Sequence, residues 1–182
     1  MDTKTFYTLL VTALLALFGA AAKYLTDLRL ARRKDRLDRV NQQLGKLYGP
    51  LYALDRAGST AWTSFRSVYR PGVPYFKPPV SKEELSAWRL WMKEVFMPLN
   101  LRMEATILEN AHLIIEGEIP ECFLDLASHI AAYKAVIKRW ENGDYSEHLS
   151  IIEHPSKPLT HYITNSYFRL INEQKELIQK VQ

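Results

Sequence analysis

The chain has 182 residues, which is the length of one ordinary domain, and its hydrophobic fraction of 47% is enough for a buried core. It contains one cysteine, Cys122, which excludes an internal disulfide framework and fits a reducing compartment. The net charge of +4 is unevenly distributed: residues 1–44 hold eight Lys/Arg and four Asp/Glu, whereas residues 45–182 hold sixteen of each. A nucleic-acid-binding domain carries its basic residues on a folded face, so this distribution argues against DNA or RNA as a partner.

The first predicted element is a transmembrane anchor over residues 1–25. Eighteen residues from Thr5 to Ala22 carry no charge, and as a helix they would span about 27 Å of a hydrocarbon core of about 30 Å. Tyr7 and Tyr24 lie where aromatic side chains meet the two membrane interfaces. The sequence therefore predicts a helix that crosses a bilayer.

A cleaved signal peptide is the main alternative, because residues 20–22 are three alanines that a signal peptidase would accept. Asp2 in the short N-terminal stretch and the basic residues after the apolar segment argue against it. Basic residues stay on the cytoplasmic side, so we expect the N-terminus outside and the remaining chain in the cytoplasm of a bacterial inner membrane. The side chains expected to contact anionic lipid headgroups are Lys23, Arg29, Arg32, Arg33, Lys34 and Arg36.

Residues 26–48 form the second predicted element, a basic juxtamembrane helix. Apolar residues recur at three- and four-residue steps from Leu30 to Leu54, with Arg33 interrupting the series. The pattern is compatible with a short parallel coiled coil, or with a helix that docks on its own domain. The series crosses Gly49-Pro50, where we expect the helix to stop or kink.

Residues 49–182 are predicted to form an all-α bundle of four or five helices below the membrane helix. The first has Pro50 in its first turn and ends at the proline-rich "RPGVPYFKPPV", an extended loop. Ser81 and Glu84 form a capping box that begins the next helix, and Pro98 should kink that helix.

The second half of the bundle is divided by turn signals. A turn at Gly117 precedes a helix that begins near Pro120 and ends at Gly143. Residues 144–156 are polar and irregular, and Pro158 opens the last helix.

The nearest approach to a metal site is Glu109-x-x-His112, a spacing found in di-iron helical bundles. A second copy of the motif is absent, and Asp125 with His129, four residues apart on the following helix, could substitute for it. Glu109 and His112 lie opposite the apolar face of their helix, and Asp125 and His129 lie on a flank of theirs. We therefore expect surface residues rather than a metal centre, and no cofactor.

Two further patterns indicate contact surfaces. Between Met103 and Tyr133 the chain has six acidic residues and no Lys or Arg, which makes the turn there acidic and suited to a basic partner or to the chain's own basic helix. The acidic residues of this possible partner surface are Glu109, Glu116, Glu118 and Glu121. Inside the apolar segment, small residues four apart favour self-association of helices in a bilayer; they are Thr8, Thr12, Ala16 and Ala20.

The motif "LYGPLYAL", together with the apolar segment, "WMKEVFMPLN" and "AAYKAVIKRW", resembles a pattern of uncharacterised bacterial single-pass proteins that tether a small helical domain to the inner membrane. The resemblance implies an anchor and a bundle, and no activity.

Nucleotide, phosphate and hydrolase signatures are missing from the sequence. The leading hypothesis is therefore a non-enzymatic, membrane-tethered interaction protein that binds a cytoplasmic protein or another copy of itself. The alternatives are a membrane-perturbing effector, such as one acting in abortive anti-phage defence, and a metal-dependent helical enzyme using the Glu109, His112, Asp125 and His129 set.

Overall fold

The computed structural model describes residues 2–179, excluding the side chains of Phe6 and Leu9. This part of the chain is all-α, as predicted, and contains four long helices. Helix α1 covers Thr3–Tyr69, and α2 joins Lys82–Trp91, Met92–Phe96 and Met97–Glu109 into one helix. Helix α3 covers Glu121–Glu141 and α4 covers Ser156–Gln179, with a 3₁₀ turn at Ala111–Leu113 between α2 and α3. There are fewer separate helices than expected because the apolar segment and the first bundle helix are one continuous helix.

Two prolines lie inside long helices without ending them, because each follows a π-helical turn. The turn Gln43–Tyr48 precedes Pro50, and the turn Met92–Phe96 precedes Pro98. At the end of each turn an N–H group bonds a carbonyl five residues back: Gly49 to Leu44, and Met97 to Met92. The wider turn changes the hydrogen-bond register just before a residue that has no N–H to donate. The expected stop at Gly49-Pro50 is therefore replaced by a local change of helix type.

The bundle core begins within α1, ahead of the domain start expected at residue 49. Val40, Leu47, Tyr48 and Leu51 are fully buried. These residues form the apolar stripe of the sequence, and they pack inside the chain's own bundle. The structure thus has the stripe docking on its own domain, while Leu30 near the start of the stripe is 57% exposed.

The last helix returns along α1 and pairs with it through polar contacts. Arg36 Nε lies 2.5 Å from Glu173 Oε1, and Gln174 Nε2 donates to Asn41 Oδ1 at 2.7 Å. The Arg33 guanidinium donates to the carbonyl of Leu177 in the last turns of α4. A cation at this end of a helix is favourable because the carbonyls there lack intrahelical partners. The pairing extends the bundle toward the apolar end of α1.

The proline-rich loop between α1 and α2 is held by two of its own side chains. Buried Arg70 donates to the carbonyl of Pro79 at 2.8 Å and also to that of Lys77. Buried Tyr75 donates to the carbonyl of Glu84 at 2.5 Å. The capping box of Ser81 and Glu84 is confirmed, with both of its hydrogen bonds present.

Residues 144–155 lack helix or strand, as predicted, and nonetheless pack against the bundle. Their backbone carbonyls accept hydrogen bonds from aromatic side chains of α2 and α3. Trp140 Nε1 donates to the carbonyl of Glu147 at 2.7 Å, and both Trp88 Nε1 and Tyr133 Oη donate to that of His148, at 2.8 and 2.9 Å. The segment is therefore a wall of the bundle.

The π-turn before Pro50 generates a test. A Cβ on Gly49 would overlap the carbonyl oxygen of Leu44, a backbone atom that cannot rotate away. We expect Gly49→Ala to lower the free energy of unfolding by about 1–3 kcal/mol, as overpacking does. Urea unfolding followed by circular dichroism would measure this.

Gly45 is the matched control, because it lies in the same turn and a Cβ there meets nothing within 4 Å. Gly45→Ala should be neutral or stabilising by up to about 1 kcal/mol, since alanine loses less backbone entropy. Equal effects of the two substitutions would show that the turn does not constrain residue 49.

Candidate functional site

The N-terminal part of α1 is an apolar helix that the bundle does not cover. It is the one helix among the described residues that is long and apolar enough to cross a membrane, and none of its apolar window is buried. Leu15, Leu17 and Phe18 are 68%, 67% and 78% exposed. Its composition and position fit either a membrane anchor or a signal sequence.

The small residues of this segment are exposed along the helix, and its threonine hydroxyls are satisfied internally. Thr8 Oγ1 donates to the carbonyl of Lys4 at 3.0 Å, and Thr12 Oγ1 donates to that of Thr8 at 2.8 Å. With Ala16 and Ala20 also exposed, the stripe offers a surface of small side chains whose polar atoms are already hydrogen-bonded.

The six basic residues expected at lipid headgroups fall into two groups. Lys23, Arg29, Arg32 and Lys34 are exposed on α1 and form the first group. Half-buried Arg33 and exposed Arg36 form the second, and they contact α4 through the carbonyl of Leu177 and the carboxylate of Glu173. The second pair therefore has a packing role that the sequence did not indicate.

The acidic turn between α2 and α3 is exposed at Glu109, Glu118 and Glu121. Glu116 is also exposed, but its carboxylate accepts a hydrogen bond from Tyr162 Oη of α4 at 2.6 Å. That hydroxyl lies 2.9 Å from the hydroxyl of Tyr48, which in turn accepts from the Ile115 N–H at 3.2 Å. This chain of bonds ties the acidic turn to α1 and α4.

The residues considered as a metal set are not brought together. Glu109, His112 and Asp125 are exposed, and the described residues contain no group of three His, Cys, Asp or Glu side chains arranged to hold a metal ion. His129, on a flank of its helix, was expected to be a surface residue, and this was wrong: it is 6% exposed. The irregular segment after α3 covers that flank, and the carbonyl of Ile152 lies 2.7 Å from His129 Nδ1.

The bundle contains a cavity of about 660 Å³ between α1, α2, α3 and the segment 144–155. Its wall is largely aromatic and aliphatic. The side chains that line it include Trp62, Trp88, Phe96, Leu99, Met103 and Tyr133 from the helices, and Phe76 from the proline-rich loop.

Several polar side chains face the same cavity. Asp55 is 8% exposed; its Oδ1 accepts from Thr160 Oγ1 at 2.7 Å, while its Oδ2 is buried without a hydrogen-bond partner. Burial raises the pKa of Asp55, and the bond from Thr160 opposes this. Asn100, which is 9% exposed, also lines the cavity.

Two histidines complete the polar lining. Burial lowers the pKa of His129, and burial, followed by the proximity of His129, lowers the pKa of His154 to about 4. Because the carbonyl of Ile152 can only accept, the neutral ring of His129 carries its proton on Nδ1.

Sequence reasoning missed this cavity. One signal for it was Asp55, a carboxylate within the apolar face that contains Leu51 and Leu54. A charged residue on the buried side of a helix needs a partner.

Comparisons with protein-family models, with curated proteins and with solved structures gave no match for this chain.

The buried histidine leads to a prediction on pH. The unfolded chain binds a proton at His154 near the ordinary pKa of 6.5, whereas the folded chain binds it near 4, so stability is lost as the pH falls through this window. From the titration of His154 alone, we expect the free energy of unfolding to fall by about 2 kcal/mol between about pH 7 and about pH 5. His154→Gln should reduce the difference in urea midpoint between these two pH values.

Exposed His112 provides the control. His112→Gln should leave the pH dependence as it is in the parent chain. An unchanged pH dependence in His154→Gln would mean that His154 is not held neutral by the fold.

Proposed function

We propose that this chain is a single-pass protein of a bacterial inner membrane, whose anchor holds a helical interaction domain at the cytoplasmic face. Its role in this proposal is tethering and binding rather than catalysis. The observation that carries the proposal is the apolar window of α1, which is wholly exposed and yet belongs to the same helix as the core residues Val40 to Leu51. Exposed apolar surface of this extent is unfavourable in water and favourable in a bilayer.

Continuity of α1 supports the anchor over a cleaved signal sequence. The helix passes through Ala20–Ala22 without interruption, whereas a peptidase cleaves an extended segment. The same helix continues into the bundle without a flexible linker, so the domain would be held at a set orientation and distance from the membrane. A long helix that serves as both anchor and core element suits a tether.

The exposed basic residues support the orientation. Lys23, Arg29, Arg32 and Lys34 follow the apolar segment directly and remain available to anionic headgroups. Arg33 and Arg36 would stabilise the junction of α1 with α4 just below the membrane. The exposed acids Glu109, Glu118 and Glu121 leave a surface for a basic cytoplasmic partner.

Topology and processing test the proposal directly. We expect a C-terminal reporter active only in the cytoplasm to be active on the full chain, and the intact mass to include residues 1–22. Replacing Arg29, Arg32 and Lys34 by Gln should increase the fraction of inverted molecules, because these charges orient the helix.

The control replaces Lys138, Lys157 and Lys175 by Gln, which removes the same charge from exposed positions in α3 and α4. Orientation should then stay unchanged. Cleavage after Ala22 combined with a periplasmic reporter would overturn the proposal.

Self-association along the small-residue stripe is a separate expectation. Ala16→Ile combined with Ala20→Ile should weaken dimerisation in detergent or lipid by about tenfold, because branched side chains keep helix backbones apart. Sedimentation equilibrium would measure the dimer fraction.

Ala21→Ile, on a different face of the helix, is the control for added bulk, and it should leave the dimer fraction as it is. Loss of dimer in Ala21→Ile equal to that in the double variant would contradict packing along the stripe.

A further inference from the structure

We propose that the cavity between α1, α2, α3 and the segment 144–155 binds a small organic ammonium ion, an amine attached to an apolar body. This adds a ligand site to the tether; the site itself does not depend on the anchor, whereas the choice of a soluble ligand rests on the proposed anchoring of α1. The volume of about 660 Å³ is that of a small-molecule pocket, for which about 300–1,000 Å³ is usual.

The walls suit a cation with an apolar body. The ring centroids of Trp62 and Trp88 lie 6.0 Å apart in edge-to-face geometry, and those of Trp62 and Phe96 lie 5.9 Å apart in the same geometry. All three line the cavity together with Tyr133. Aromatic faces attract ammonium groups through the ring quadrupole and also cover an apolar chain or ring.

The sign of the charge in the cavity is also selective. Among the described side chains that line it, the charged ones are Asp55 and Glu153, and none is Lys or Arg. His129 and His154, whose pKa values are lowered by burial, add no positive charge near neutral pH. The charges of the lining therefore attract an ammonium ion and repel an anion, while Arg56 and Arg66 lie outside the lining, near Asp55 and over the ring of Trp62.

Asp55 offers a buried oxygen to the ammonium N–H. Its Oδ1 accepts from Thr160, and its Oδ2 is buried without a hydrogen-bond partner. A buried acceptor without a donor is unfavourable, and the ligand would supply that donor. A charge-assisted bond of this kind is the strongest polar contact that the cavity offers.

The position of the cavity favours a soluble amine over a lipid headgroup. Asp55 lies thirty residues beyond Leu25 on the same helix, which is about 45 Å at helical rise. A headgroup at the membrane surface does not reach that distance when α1 stands across the bilayer.

The test uses the full chain in phosphatidylcholine nanodiscs, with empty nanodiscs as the blank. Three probes share one body and differ in charge: 4-phenylbutylamine, 4-phenylbutanol and 4-phenylbutyrate. Tryptophan fluorescence reports binding, because two of the four tryptophans, Trp62 and Trp88, line the cavity. We expect saturable binding of the amine, at least about tenfold tighter than the alcohol, and no binding of the acid.

Two variants locate the site. Asp55→Asn retains an acceptor for Thr160 and removes the charge. It should lower the affinity for the amine by at least about tenfold. Gly58→Leu should abolish binding, because Gly58 lines the cavity and a Cβ there meets nothing within 4 Å, so the leucine can occupy the space. The result for Gly58→Leu remains informative even if Asp55→Asn fails to fold. Circular dichroism would show whether each variant folds.

The matched controls are Asp125→Asn, at an exposed carboxylate, and Ala53→Leu, on the exposed face of α1; both should bind the amine like the parent chain. Equal affinity for the three probes, or full affinity in Asp55→Asn or Gly58→Leu, would overturn the proposal. Replacing part of the lipid by phosphatidylethanolamine should leave the affinity unchanged. A fall in the affinity for the amine would mean that the lipid headgroup competes for the cavity. It would overturn the proposal that the ligand is a soluble amine.

Discussion

The fold depends on keeping a proline inside a long helix. Pro50 has no N–H to donate, and in a regular α-helix its ring would clash with the carbonyl one turn earlier. The π-turn Gln43–Tyr48 solves this by changing the hydrogen-bond register just before the proline, with Gly49 permitting the close approach of the Leu44 carbonyl. Because the helix continues through Pro50, the apolar segment and the first bundle helix form one continuous element, Thr3–Tyr69.

The same device occurs a second time, and there it shapes the cavity. The π-turn Met92–Phe96 precedes Pro98 in α2, and both Met92 and Phe96 line the cavity. Single π-turns are frequent at functional sites, where they place side chains that a regular helix would aim elsewhere. Two otherwise costly prolines thus coincide with the two features on which the proposals rest, the continuous helix α1 and the wall of the cavity.

Local patterns in the sequence were sufficient for most of the secondary structure. The capping box at Ser81 and Glu84, the turns at Gly117 and Gly143 and the irregular stretch after α3 follow from backbone chemistry within a few residues, and all are present. The apolar face of α2 was also predictable, because an apolar residue recurs at every third or fourth position. The continuity of α1 was not, since a π-turn has no simple composition signal and Gly-Pro ordinarily ends a helix.

The cavity was harder still to predict, because it depends on which long-range partners cover each helix. His129 lies on a flank by helical periodicity, and it is buried only because residues 144–155 fold back over it. Arg33 and Arg36 similarly had an obvious local interpretation in the basic stretch, while their contacts are more than 130 residues away in α4. Asp55 was visible as an anomaly, but a carboxylate on an apolar face indicates a partner without naming it.

The wall formed by residues 144–155 has an evolutionary consequence. It is held by bonds from Trp88, Tyr133 and Trp140 that all end on main-chain carbonyl oxygens. Every amino acid supplies that oxygen, so these anchors survive substitution of the residues that carry it. The exposed side chains of this segment, including Glu153 at the cavity, are therefore free to diverge while the wall stays in place. Related chains could retain one scaffold and one pocket depth, and still differ in what their pockets admit.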